Sequence, residues 1–373
     1  MTTANAGTLK GFRVVPADTP NKGIRFVDHQ THGRSGHGGN CLTECHNGDI
    51  VSFYSNVSGE ILQGHGIAGW SEYRISEDAG ETWSEPAILD YSMRAWEGDE
   101  VYSALVFALA TAPDGTLIAF VCRFGAEDWV KKLSPVCLLS HDNGRTWGEP
   151  RLLDPSATVD QVSFTFDAVF THDDQVFAAF MGGTDAYCNG PYSLYVSADS
   201  GESFERRSVL PFDHENYYVT AGMLDSGDII VYSYPYRANA PIEEHNIPYV
   251  TSADQGRTWS EVKTAHFARA IRNPQLSRKI GNLYFLQGRS GSVSPDPKNL
   301  VLYSSRDGIH WDGGTVLHRK EMGGADAYSA NEVVGKYDPS VPNRLLIQSS
   351  IAYEDGNYRV NEHHWWVEGV DGA

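Results

Sequence analysis

The chain is short of cysteine, of cations and of long apolar runs, and each shortage removes a class of protein. Five cysteines among 373 residues make no disulfide framework. On a strand, Cys41 and Cys45 share one face roughly 13 Å apart, too far to bond. Cys122, Cys137 and Cys188 are scattered and read as buried thiols. Cys41, Cys45 and His46 are metal-binding residue types, but their spacing matches no strong zinc pattern. Lys and Arg number 29 against 48 Asp and Glu, a net charge of −19. That balance argues against nucleic acid or an anionic membrane surface as partner, and leaves room for a small anionic substrate where arginines cluster. The longest apolar run, Ala104–Ala112, is too short to span a bilayer. The opening residues MTTANAGTLKG lack the regions of a secretory signal; the expectation is a cytoplasmic protein, or a secreted one whose signal has been removed. No Pro/Ser-rich linker or low-complexity tract divides the chain, so residues 1–373 read as one domain.

What the chain has in abundance is repetition. Ser76-Glu-Asp78-Ala-Gly80-Glu-Thr82-Trp83 returns as Ser140-His-Asp142-Asn-Gly144-Arg-Thr146-Trp147 and as Ser252-Ala-Asp254-Gln-Gly256-Arg-Thr258-Trp259. Ser197-Ala-Asp199-Ser-Gly201-Glu-Ser203-Phe204 varies its end, and Ser304-Ser-Arg306-Asp307-Gly308-Ile-His310-Trp311 carries its Asp one position late. The starts lie 64, 57, 55 and 52 residues apart, a period in the range of propeller blades. The Asp accepts hydrogen bonds from the backbone of a tight turn, and the Gly takes positive φ at little cost. Thr and Trp then begin the next strand, where the indole covers the blade's flank. The motif is scaffold, not site.

A second repeat lies between the copies. Strands after a turn recur at Asp49–Tyr54, Thr116–Val121, Gln175–Phe180, Asp228–Ser233, Asn282–Gln287 and Arg344–Ser349. Six such strands predict six four-stranded antiparallel blades in an all-β propeller. The first inner strand begins near Ser35, so residues about 9–28 are left to supply closing strands beside the last blade, removing the open edges. The alternative is seven blades, if the N-terminal segment and the tail build more.

The five-fold pattern resembles the Asp-box of the sialidase-like β-propeller superfamily. That resemblance implies a site at the central axis, on the face opposite the boxes, reached from the starts of inner strands and from loops after second strands. Those places hold Arg34, His37, Gln63 and His65 in blade one, Glu97, Asp99, Tyr102 and Arg123 in blade two, and Asp160, Gln161, Asp185 and Tyr187 in blade three. Blade four offers His214, Glu215 and Arg237, blade five Arg272, Gln275 and Arg289, and blade six Asp326 and Tyr328. Sialidases hold a carboxylate with three arginines and use a Tyr–Glu pair as nucleophile. By that resemblance Ala327-Tyr328-Ser329 looks like the nucleophile segment, Glu215 like its partner, and Arg237 and Arg289 like the second and third arginines. The first arginine is missing: counting back from Gly48, its position carries His37. Gly11-Phe-Arg13-Val-Val-Pro16 is superficially similar to the missing motif but lies too far upstream and reads as a closing strand.

Gly33-Arg34-Ser35-Gly36-His37-Gly38-Gly39, with Phe53-Tyr54-Ser55-Asn56, Gly64-His65-Gly66 and Val360-Asn361-Glu362-His363-His364-Trp365-Trp366, resembles the propeller enzymes acting on rhamnosyl-α-1,4-glucuronate linkages. These include hydrolases and lyases and are seven-bladed. A His of near-neutral pKa can move a proton at a glycosidic oxygen, at a water, or at the carbon alpha to a uronate. The resemblance therefore implies a glycoside hydrolase or lyase cleaving a terminal sugar at or next to a carboxylate-bearing residue. His37, His65, Tyr328 and Glu215 would be catalytic; Arg34, Arg123, Arg237, Arg289, Gln275 and Glu97 would bind an anionic oligosaccharide. The alternatives are an exo-α-sialidase with an altered arginine set and a non-catalytic glycan-binding propeller. No cofactor is required on this reading, and a structural or site calcium ion stays open. Of the tandem His363 and His364, one should be buried, since neighbours on a strand face opposite ways. Trp365 and Trp366 read as core and flank.

Overall fold

Leu117-Ile-Ala-Phe-Val-Cys122 is apolar at every position, so a strand made from it must be covered on both faces. The computed structural model meets that need by stacking six antiparallel sheets around an axis, each flanked by two neighbours. It describes residues 11–16, 34–35, 39–58, 68–125, 132–163, 165, 168–183, 190–213, 216–235, 246–269, 271–289, 299–319, 327–352 and 360–370. Phe120 and Val121, successive residues pointing to opposite faces, are both fully buried.

Blade one has its inner strand in two pieces, Arg34–Ser35 and Cys41–Glu44, both paired with Ile50–Ser58, then Gly69–Ser76 and the two-residue Ala87–Ile88. Blade two comprises Tyr102–Thr111, Leu117–Gly125, Lys132–Ser140 and Arg151–Leu152; blade three comprises Val169–His172, Gln175–Met181, Tyr192–Ser197 and Glu205–Val209. Blade four runs Asn216–Met223, Ile229–Pro235, Asn246–Ser252 and Lys263–His266, and blade five Arg272–Leu276, Tyr284–Arg289, Asn299–Ser305 and Thr315–Arg319. Blade six takes Ala327–Val334, Arg344–Ala352 and Val360–Glu368 from the C-terminus and its outer strand, Arg13–Pro16, from the N-terminus. Val14 lies opposite Val367 and Val15 opposite Trp366, so the strand Arg13–Pro16 closes the ring. The count is six.

Each of the first four boxes has one geometry. The Ser140 hydroxyl accepts from Gly144 N at 2.9 Å and donates to Asp142 Oδ1 at 2.9 Å. Asp142 also accepts from Thr146 N at 2.8 Å and from the Thr146 hydroxyl at 2.6 Å. The residue before the glycine adopts positive φ without being glycine: Ala79, Asn143, Ser200 and Gln255 lie between 56° and 59°. The fifth box corrects the sequence register. Its serine is Ser305, which bonds Asp307 at 3.0 Å and Gly308 N at 2.9 Å. The Asp has not slipped; the residue between Asp and Gly is absent, and His310 Nδ1 meets Asp307 Oδ2 at 2.7 Å where a Thr hydroxyl stands elsewhere. Ser304 instead bonds Asp312 at 2.6 Å.

The box aromatics wedge each blade onto the one before it. Trp147 packs edge-on against Phe53, ring centroids 5.4 Å apart, and Phe204 meets Phe120 at 5.5 Å. Trp259 Nε1 donates to Ser208 at 2.9 Å, and Trp311 Nε1 donates to Tyr232 at 3.2 Å. Trp83 completes the circle against His364 of blade six, 5.6 Å away. His364 is buried, as are Trp365 and Trp366, while His363 is half-buried.

One element has no counterpart in the sequence reading. Asp90–Glu97, labelled α1, is the only helix among the described residues. Blade one's outer strand pairs with just Glu72 and Tyr73, leaving the start of the third strand an uncovered edge. The helix covers it: Ser71 N donates to the Ser92 hydroxyl at 2.8 Å, and Leu89 N donates to Ser71 O at 3.0 Å. No helix among the described residues is long and apolar enough to cross a membrane.

Candidate functional site

Strand direction separates the two ends of the axis. Inner and third strands run the same way, so boxes and the turns after inner strands share one end; the Arg145–Asp49 ion pair, 2.9 Å between a box and such a turn, shows it. The opposite end gathers inner-strand starts and second-strand ends. Tyr328 opens the inner strand of blade six, and Arg289 ends the second strand of blade five. The structure brings these two together, the Arg289 guanidinium lying 5.2 Å from the Tyr328 ring centroid, within cation–π range. Tyr218 and Tyr234 of blade four, stacked 6.4 Å apart, supply the neighbouring wall.

Arg289 is buried. Burial, reinforced by the positive charge of Arg272, pushes its pKa down to about 10, and the phenols of Tyr328, Tyr218 and Tyr234 oppose that shift. It is therefore still a full cation at neutral pH. The backbone under Tyr328 is fixed: its carbonyl accepts from Ser349 at 3.2 Å and Ser350 at 3.4 Å. Asn331 bridges blades six and five, donating to Gln287 Oε1 at 2.7 Å and to the Gln275 carbonyl at 3.2 Å. A buried cation against an aromatic wall, on a backbone held by neighbouring blades, can orient an anionic group without moving to meet it.

The remaining expected residues are dispersed or lie elsewhere. Gln275, directly opposite Gln287, lines a cavity of about 230 Å³ toward the box end of the axis, with Thr43, Thr111, Thr171, Glu332 and Lys336. Polar groups there bond one another, as Lys336 Nζ does Glu332 at 2.9 Å and Thr43 does Thr111 at 2.9 Å. Arg123 is tied into the blade wall, Nε donating to Ser134 O at 2.6 Å and the guanidinium 5.8 Å from the Tyr102 ring. Glu97 ends α1 as an exposed carboxylate. Arg34 is placed by its backbone alone, opposite Ser58. His37, His65, Glu215 and Arg237 lie outside the described residues, as do Gln63, Asp185, Tyr187, His214 and Asp326. Among the described residues no group of three or more His, Cys, Asp or Glu is placed to hold a metal ion.

Sequence reasoning missed one polar cluster near this end. Glu72 accepts from Tyr54 at 2.7 Å, Asn56 at 2.6 Å and Trp70 Nε1 at 3.0 Å. The signal was present as two period-two pairs, Tyr54/Asn56 and Trp70/Glu72, but only strand register shows that they share a face.

The fold has relatives among known proteins. A family model described as a BNR repeat-like domain matches residues 93–330. The chain is similar in structure to a Dyadobacter fermentans protein of unknown function, with 15% identity, a TM-score of 0.72, and coverage of 96% of this chain and 100% of that one. It is similar to the Hadza microbial sialidase Hz136 at 15% identity and TM-score 0.70, over 93% and 68% of the two chains. Trypanosoma rangeli sialidase, in a covalent complex with 2,3-difluorosialic acid, matches at 13% identity and TM-score 0.61, over 98% and 59%. These are sialidase-like β-propellers, and at such identities the likeness is one of fold. No curated protein matches the sequence.

Proposed function

The chain belongs to the BNR repeat-like domain family, and from that premise we propose that it is a glycosidase cleaving a terminal sugar at or next to a carboxylate-bearing residue. The observation that carries this reading is Arg289: a guanidinium kept charged while buried beside Tyr328 at the end of the axis away from the boxes. A carboxylate is the group on a glycan that such a cation recognises best. Within this reading His37 is the proton-transfer residue, helped by His65, and the substrate is a rhamnosyl-glucuronate type linkage. As general acid, His37 protonates the leaving glycosidic oxygen while water attacks the anomeric carbon and gives up its proton to solvent. In the lyase variant it removes the proton alpha to the uronate carboxylate, an arginine holds the enolate charge, and the bond from C4 to the glycosidic oxygen then breaks, releasing the terminal sugar and leaving an unsaturated uronate.

The pairing of Arg289 with Tyr328 favours one second reading, an exo-α-sialidase in which Tyr328 is the nucleophile. One experiment separates them. Rhamnosyl-glucuronate oligosaccharides and a fluorogenic sialoside are incubated with the protein, following free rhamnose, the ultraviolet absorbance of an unsaturated uronate, and the released fluorophore. Free rhamnose without ultraviolet absorbance is expected. Fluorophore release abolished by Tyr328→Phe would establish the second reading instead, and no product from any substrate would refute both.

A further inference from the structure

The cavity at the box end of the axis differs in charge from the chain that encloses it. All six inner strands reach its wall, and the turns after those of blades five and six add Arg278, Lys279 and Lys336. Glu332 is the one carboxylate among its described lining residues. In a chain of 48 acidic and 29 basic residues, three cations around one carboxylate reverse the general balance.

The neighbouring charges are mostly paired. Lys279 bonds Asp225, His172 meets Asp173 at 3.3 Å, and the Glu44 carboxylate accepts from the Gly335 and Lys336 amides at 2.6 and 3.0 Å. Glu332 is shared among four donors: the Thr43 hydroxyl at 3.1 Å, Glu44 N at 3.2 Å, Val333 N at 2.7 Å and Lys336 Nζ at 2.9 Å. Lys336 therefore has one carboxylate contact for three N–H bonds, its ammonium otherwise lying 5.3 Å from the Tyr337 ring centroid. Arg278 donates to the Thr171 carbonyl at 2.9 Å and meets no carboxylate among the described residues. Burial pushes the Lys336 pKa down, Glu332 opposes the shift, and the positive charge of Arg278 adds to it. Two cations thus converge from neighbouring blades with donors to spare.

The neutral wall sharpens the choice of occupant. The Thr111 and Thr171 hydroxyls donate to the Glu44 and Thr111 carbonyls at 2.7 and 2.9 Å, so they bind the wall to itself. Gln275 is buried against the cavity, and its amide has no hydrogen-bond partner among the described residues. Ala221, Gly222 and Met223 of blade four add no charge. The volume of about 230 Å³ lies below that of pockets for drug-sized ligands. It suits an occupant that is small and rich in acceptors.

We propose that this cavity binds a small phosphate-bearing anion, held by Arg278 and Lys336 with Gln275 as a neutral donor. A phosphate carries close to two charges at neutral pH and offers three strong acceptor oxygens, so it meets both cations at once. Bound there, it joins blades five and six at the end of the axis opposite Arg289. The inference is independent of the glycosidase reading.

Inorganic phosphate, glycerol 3-phosphate and glycerol are titrated by calorimetry into the protein and into Arg278→Ala, Arg94→Ala and Arg289→Gln. Both phosphates should bind the parent, and glycerol should not. A hundredfold excess of phosphate over its Kd should raise the melting temperature by about 2–4 °C. Arg278 is exposed, so Arg278→Ala should fold, and it should weaken both phosphates by about 10- to 100-fold. Arg94 pairs with Glu149 on the outer surface, and Arg94→Ala should bind as the parent does. Glu332→Gln removes the carboxylate that competes for Lys336 and should tighten binding severalfold. Tighter binding of glycerol 3-phosphate than of phosphate identifies a phosphorylated metabolite as the source, and the reverse identifies the free ion. No phosphate binding by the parent, equal binding by Arg278→Ala, or weaker binding by folded Glu332→Gln would overturn the site. Binding lost in Arg289→Gln and kept in Arg278→Ala would also overturn it, by moving the anion to the other end of the axis, and would leave the glycosidase reading standing.

Discussion

The box carboxylates and the buried arginine at the other end of the axis hold their charges in opposite ways. At the box end, burial pushes Asp78, Asp142 and Asp199 up, and the hydroxyl and amide of the following Thr or Ser more than reverse it, so all three lie below the usual carboxylate range. In Asp254 the Thr258 hydroxyl and amide dominate and lower it outright. At the other end, burial and then Arg272 disfavour the charged form of Arg289. Groups whose charge the native fold favours are finished structures. A group whose charge the fold disfavours gains from any counter-charge brought to it. The boxes hold blades together, and under the proposed function the guanidinium meets the substrate carboxylate.

The most severe way to break this contrast is Arg289→Gln. Activity on a carboxylate-bearing glycan should fall about 100- to 1000-fold in kcat/KM. Thermal stability should hold or rise, because an unfavourable buried charge has been removed. A variant that melts well below the parent would make Arg289 a structural cation and end the comparison.

At the box end the signs reverse, and Gly144→Ala tests how tightly a box is wedged onto the preceding blade. Its φ is 82°, and a Cβ would lie 2.6 Å from Val51 Cγ2 of the preceding blade. Gly227, at φ 83° with nothing within 4 Å, isolates backbone strain from crowding. Gly227→Ala should cost about 1 kcal/mol and Gly144→Ala about 2–4 kcal/mol by denaturant unfolding. Equal costs would mean that the wedge carries no packing energy. Asp142→Ala, which deletes three acceptor contacts within an exposed turn, should cost about 1–2 kcal/mol and leave kcat/KM alone. A loss of activity larger than the loss of folded protein would give the box a role in the site.

These tests also show why one end was legible in sequence and the other was not. A box is complete within eight residues, so Ser140, Asp142, Gly144 and Thr146 announce their hydrogen bonds by spacing alone. Even the fifth copy was visible, and its register was misread only because a deletion and a slipped Asp look the same when Ser304 and Ser305 are adjacent. Blade number and N-terminal closure followed from the same ruler. The helix Asp90–Glu97 was hidden because its cause is an outer strand of two residues, a fact about pairing. Arg272 stood among the residues reachable from the axis, yet its direction depends on a bulge at Asn273. Sequence places a residue on a strand, and register decides what it faces.

The smallest effect lies at the closing seam, where His364 packs against the box residue Trp83. Burial, and then the neighbouring His363, push its pKa down to about 3. Native His364 is thus neutral at every pH where the unfolded chain, with an ordinary value near 6.5, takes up a proton. The unfolded state binds more protons below that point, so stability falls as pH drops through about 6.5 and keeps falling toward the native pKa. Between pH 7 and pH 6 the loss is about 0.7 kcal/mol. The box carboxylates contribute in a separate window: their stabilisation is full above about pH 4 and is lost below it, as the native carboxylates themselves protonate. His364→Phe, which keeps a ring against Trp83, should flatten the curve between pH 7 and pH 5 and leave the decline below pH 4. If the slope near pH 6 survives the substitution, the proton uptake belongs to another group, and the seam is indifferent to it.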